Sequence, residues 1–138
     1  SIPPNPQEIV ASIAEIGAFC ARSGVRHKDN LLVSLAVEEM LMSIVEHSFT
    51  PYSNATVDVR ILIVPEVEGL TTVLRIRHAG KLFNPIDYYE HQKEQDPLAL
   101  GDALGIAMIL RAAEAIYYKT TFGINNLTVV MRCDAAAE

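Results

Sequence analysis

Leu31-Leu32-Val33-Ser34-Leu35-Ala36-Val37-Glu38-Glu39-Met40-Leu41-Met42-Ser43-Ile44-Val45-Glu46-His47-Ser48, followed closely by Thr56-Val57-Asp58-Val59-Arg60-Ile61-Leu62-Ile63, is the stretch that decides the fold. The first part is apolar nearly all round and extends back to Asp29 or Asn30, which predicts a central, heavily buried helix. The second part alternates with period two. Val57, Val59, Ile61 and Ile63 point one way and Thr56, Asp58 and Arg60 the other, as in a half-buried strand. Glu66 to Gly69 make a polar turn, and Thr72, Leu74 and Ile76 form a second alternating set. So short a connection predicts an antiparallel hairpin.

Working outward, Asn5-Pro6-Gln7-Glu8 is a helix start, with a capping residue, Pro at the first helical position and Glu at capping-box spacing. Ile9, Ile13, Ile16 and Cys20 then mark one helical face, and Gly24 is the expected stop. On the other side, regular patterning fails from Ala79 to Asp102. Gly80, Pro85, Pro97 and Gly101 punctuate a polar run, Glu90 to Asp96, and predict a long functional loop. A third helix is expected over about Ala103 to Ala115, with Leu104, Met108 and Ala112 on one face. Tyr117 to Phe122 and Leu127 to Cys133 read as a closing hairpin around Gly123-Ile124-Asn125-Asn126. The order predicts a single α/β domain over residues 1–138: a two-layer sandwich with helices on one face of a mixed, largely antiparallel sheet.

Composition removes several classes. The chain has 138 residues, half of them hydrophobic and 20% charged, which excludes disorder. No apolar run approaches a membrane span of roughly 18 residues, so no direct membrane contact is expected. A net charge of -6 and a pI near 5.2 argue against nonspecific nucleic-acid binding. Two cysteines, Cys20 and Cys133, make neither a disulfide framework nor a zinc site, and the expected setting is the reducing cytoplasm. A chain that opens on Ser rather than Met is expected to be a processed product or a piece of a longer one.

The chemistry-bearing residues cluster on the central helix. Helical spacing places Glu39, Ser43 and either Glu46 or His47 on the stripe of Leu32, Leu35 and Ala36. A carboxylate on such a stripe is costly unless it faces a cavity, a cation or water. The plain alternative is that Glu38 or Glu39 lies at the edge of the layer. His47 reads as a helix C-terminal histidine favoured by the macrodipole. Two glycine-bearing segments add to this: Arg77 to Pro85 leaves a strand, and Gly101-Asp102-Ala103-Leu104-Gly105-Ile106 opens a helix. A glycine loop at a helix start can hold phosphate with backbone N–H groups.

In this order the residues resemble the Bergerat-fold, histidine-kinase-like (GHKL) ATPases of bacterial regulation, and among them the anti-sigma-factor serine/threonine kinases. Ala36 to Phe49 is similar to the family's N-box helix, in which Glu precedes Asn by four. Arg77-His78-Ala79-Gly80-Lys81-Leu82-Phe83-Asn84-Pro85 resembles its Asp-x-Gly-x-Gly adenine loop, and Ala103-Leu104-Gly105-Ile106 its Gly-x-Gly-Leu phosphate loop. Asn126-Leu127-Thr128-Val129-Val130 resembles the closing strand whose Thr reaches the nucleotide. The resemblance spans nearly the whole chain. It implies ATP with Mg²⁺, Glu39 as the catalytic base, and Ser43, His78, Gly80, Phe83, Leu104, Gly105, Ile106 and Thr128 around the nucleotide. It also equates Tyr88 to Gly101 with a lid over ATP.

The departures carry equal weight. The family's Mg²⁺-holding Asn is Ser43 here, a shorter and poorer oxygen donor, and its adenine-reading Asp is His78, which accepts through one ring nitrogen only. Leu82 and Ala103 replace glycines of the two loops. Each lost hydrogen bond costs roughly 1–3 kcal/mol, so micromolar binding falls toward millimolar. Three functions follow. One is an ATP-binding regulator of the anti-sigma type, able to hold a sigma factor or small antagonist protein and to phosphorylate it. The second is a pseudo-ATPase kept as a protein-binding module, and the third a cytosolic output domain of a longer sensor or membrane protein. The motif losses argue against kinase activity. Self-association into a homodimer, through the sheet or the apolar Ile2-Pro3-Pro4 segment, is the resemblance's further implication.

Overall fold

The computed structural model describes residues 2, 3, 5–49, 56–96, 98 and 103–133. Within them the chain runs α1 (Pro6–Arg22), α2 (His27–Ser48), β1 (Val57–Pro65), β2 (Leu70–Ala79), α3 (Pro85–Gln95), α4 (Leu104–Ala112), β3 (Ala115–Thr121) and β4 (Ile124–Cys133). The strands form one sheet in the order β1-β2-β4-β3, antiparallel at every described pairing rather than mixed. Helices cover one face. The two-layer α/β sandwich is therefore the fold.

Local signals account for the elements. Asn5 caps α1, its side chain accepting from the Glu8 N–H at 2.9 Å, and Pro6 sits in the first turn. α1 lies against α2, where the Asn30 side chain donates to the Gly17 carbonyl at 2.9 Å. α2 supplies the core with Val33, Ala36, Val37, Met40, Leu41 and Ile44, all buried. They meet Leu74, Ile76, Leu127, Val129 and Met131 from the central strands. Cys20 and Cys133 are both buried in this core and form no disulfide; burial and the neighbouring Cys133 push the Cys20 thiol pKa up.

Three expectations change. The polar segment after Pro85 is a helix, α3, rather than a loop, capped by the Asn84 side chain, which accepts from the Ile86 N–H at 2.9 Å. The last hairpin turns at Phe122-Gly123, at φ 51° and 76°, so Asn125 and Asn126 belong to β4 rather than to the turn. Ile2 is not a free apolar end. It is buried and pairs with the β1 edge, exchanging two backbone bonds with Val57 at 2.7 and 2.9 Å. The predicted lid falls partly on α3 and partly, over 97 and 99–101, outside the described residues.

Candidate functional site

The stripe Glu39, Ser43, His47 runs down α2 at four-residue spacing, each residue one turn beyond the last. Glu38 is exposed while Glu39 is half-buried, so the two carboxylates take opposite surroundings. Glu39 lies against Gly105 in the first turn of α4. A Cβ on Gly105 would stand 1.9 Å from Glu39 Oε2 and 2.8 Å from its Cγ, so only glycine leaves room for this approach. Burial first, and the Glu38 charge second, push the Glu39 carboxyl pKa up. The first turn of a helix offers unpaired N–H groups and partial positive charge, a setting that favours an anion.

This contact predicts a sign reversal. Gly105→Ala should destabilise the wild type by about 1–3 kcal/mol, because the Glu39 side chain must be driven off. In a Glu39→Ala background the same change should stabilise by about 0.5–1 kcal/mol, as Ala suits a helix better than Gly. Urea denaturation of the four proteins measures the coupling; additive effects would show that the contact is not made in solution.

At the other end of the stripe His47 stacks on Phe83, with ring centroids 4.7 Å apart and planes 17° off parallel, and meets Tyr88 of α3 at 4.5 Å. Behind Phe83 is a buried polar hub that the sequence reading missed. Asn125 Oδ1 accepts from the Phe83 N–H at 3.0 Å and from the Tyr118 hydroxyl, and its Nδ2 donates to the His78 carbonyl at 3.3 Å. Register explains the placement: Asn125 pairs with His78 across β2 and β4, and both side chains face the helices.

His78 is 4% exposed and its Nε2 lies 3.1 Å from the Ser48 hydroxyl. That hydroxyl donates to the Lys81 carbonyl at 2.9 Å, so its oxygen accepts from His78. The proton is thereby assigned to Nε2, and Nδ1 is left as a buried acceptor with no partner among the described residues. Burial lowers the His78 pKa to about 4, which keeps the ring neutral at pH 7. Gly80 follows at φ +136°, where a Cβ would lie 3.0 Å from the Ser48 carbonyl oxygen, and it lets the loop pass the end of α2.

The chain matches no known protein family and no curated protein.

The structure brings Glu39 to Gly105, and Phe83 to His78 through Asn125, while Ser43 lies buried on the stripe between the two ends. Three of the sequence-based assignments do not converge there. Thr128 lies on the opposite face of the sheet, because strand alternation sends 125, 127 and 129 to the helices and 128 away. Ile106 is fully buried core. Leu104 is 57% exposed and faces outward, lining a cavity of about 500 Å³ with Tyr89, Met108 and Arg111. No group of three or more His, Cys, Asp or Glu among the described residues could hold a metal. Glu39 and the Ser43 hydroxyl suit only a Mg²⁺ that arrives with phosphate, since that ion keeps most of its waters and takes few protein oxygens.

Proposed function

We propose that this chain is a regulatory domain of the histidine-kinase-like ATPase type, of the anti-sigma-factor kind, that works by holding a protein partner and binds Mg-ATP weakly. The carrying observation is the placement of Glu39 against Gly105 with Ser43 and His47 continuing toward Phe83 and His78. Glu39 and His47 are separated by roughly 12 Å along the helix, close to the reach of a nucleotide from base to terminal phosphate. At one end, His78 Nδ1 is a buried acceptor with no partner among the described residues, which an amino N–H such as adenine carries would satisfy once the Phe83 segment gives way. At the other, Glu39 is placed to take a proton from a hydroxyl, and phosphate would approach the first turn of α4. Bound Mg²⁺ would supply charge neutralisation of the phosphates; Glu39 and Ser43 are the residues that would face it.

The same geometry favours weakness. An incoming phosphate meets the Glu39 carboxylate already lying over Gly105, like charge against like. That contact also supports the second reading, a pseudo-ATPase that retains only its partner surface. A sigma factor or a small antagonist protein is the class of partner this role calls for. The described helices include none long and apolar enough to cross a membrane. Two buried thiols outside any disulfide suit a cytoplasmic setting.

Calorimetric titration with Mg-ATP tests the reading. Wild type should bind in the millimolar range without phosphorylating a bound partner. Ser43→Asn with His78→Asp should tighten binding about tenfold or more, since each restores an oxygen acceptor worth roughly 1–3 kcal/mol. The gain from Asn should require Mg²⁺ and that from Asp should favour adenine over guanine. Micromolar wild-type binding would overturn the claim of weakness. A folded double variant that binds nothing would leave the pseudo-ATPase.

A further inference from the structure

The sheet face turned away from the helices carries a charge opposite to that of the whole molecule. Register places Arg60, Arg75, Arg77, Lys119 and Arg132 on it, five of the chain's eleven Lys and Arg, with Asp58 as the one acid there among the described residues. All five cations are exposed, on a chain of net charge -6. Asp58 is engaged by Arg60 at 3.2 Å, and Arg132 donates to the Glu68 carbonyl at 2.6 Å. Arg75 and Arg77 stand side by side on β2, and Lys119 is held across Asn126 from Arg77.

Between these cations runs an apolar row. Leu62, Val73, Val130 and Ala115 occupy one register level across all four strands, with Tyr117 beside them. Leu62 is 60% exposed and Tyr117 62%. Four strands span roughly 14 Å, room for two or three large apolar side chains. Arg60 and Arg75 flank the row on one side and Arg132 on the other.

We propose that this open sheet face docks an acidic, amphipathic segment of a partner protein, its apolar side chains on the Leu62–Val73–Val130 row and its carboxylates on Arg75, Arg77 and Arg132. A nucleic-acid backbone would leave the apolar row unused and would be repelled by the remainder of this acidic chain. A second copy is disfavoured as well, because a face-to-face pair would bring the same arginines against one another.

The test is titration of isotope-labelled protein with a synthetic peptide of roughly 14 residues, Leu on one helical face and Glu on the other. Amide shifts should concentrate on β1, β2, β4 and β3 residues of the open face, and affinity should fall as salt is raised. Arg75→Glu with Arg77→Glu should weaken binding about tenfold or more at unchanged melting behaviour, and Arg75→Gln should weaken it by a smaller factor. The proposal is overturned if the Glu peptide causes no shifts on this face, or if a Lys-for-Glu peptide binds as well. Unchanged binding by the double variant would also sink it. So would tighter binding to single-stranded DNA or phosphatidylserine vesicles, or dimerisation through this face seen by sedimentation.

Discussion

Taking the protein from pH 7 to pH 4 should cost the fold about 3 kcal/mol through His78 alone. Its ordinary pKa of 6.5 is lowered to about 4 by burial. Between those values the unfolded chain holds a proton on His78 that the folded chain refuses, so stability falls as pH falls. The full contribution is present above pH 6.5, drains through the window, and levels off below about 4. Glu39 works in the opposite sense: its raised pKa means that acidification relieves rather than burdens the folded state. His78→Gln isolates the effect, since its amide can still donate to the Ser48 hydroxyl but does not titrate. Relative to the variant, the wild type should lose about 3 kcal/mol of urea stability from pH 7 to pH 4, with the carboxylates common to both cancelling. A difference that stays flat would show that the ring is hydrated or paired in solution.

Replacing Asn125 with Leu should cost about 3–5 kcal/mol. The new side chain is of similar size, so packing changes little and the loss is polar. Three partners are stranded at once: the Phe83 N–H, the Tyr118 hydroxyl and the His78 carbonyl. A buried group left unsatisfied costs about 1–3 kcal/mol, and the half-buried Tyr118 can recover water where the Phe83 amide cannot. Tyr118→Phe, which removes one bond and leaves the other two, should cost about 1 kcal/mol. Hydrogen exchange at the Phe83 amide should accelerate in Asn125→Leu before the rest of β2 is affected. A Leu variant within about 1 kcal/mol of wild type would mean that the hub is not a hub.

Much of this was legible from residue pattern. The Asn5-Pro6 start of α1, the all-round apolar character of α2 and the alternation of β1 were each plain signals, because a cap, a buried helix and a half-buried strand each leave a local mark. The same capping signal, Asn84-Pro85, stands at the head of α3. Its helix is polar, with Pro85 buried and Tyr88 and Tyr89 half-buried, so the hydrophobic period was missing even though the cap chemistry was present. For the site, helical spacing sufficed to place Glu39 and Ser43 on one stripe. Thr128 failed because its face depends on register parity with β2, which no local pattern reveals. Asn125 was hidden by its neighbours: an Asn after Gly123 reads as turn material, and only the positive φ of Phe122 moves the turn one step earlier.

Cys20 and Cys133 sit 0% and 2% exposed in a chain with no other thiol. Alkylating reagents can reach sulfur buried this deeply only when the surrounding structure opens. The molecule therefore carries its own stopwatch. One thiol lies in α1 and its neighbour at the end of β4, so their labelling rates time the parting of the helical layer from the sheet, without any probe having to be introduced.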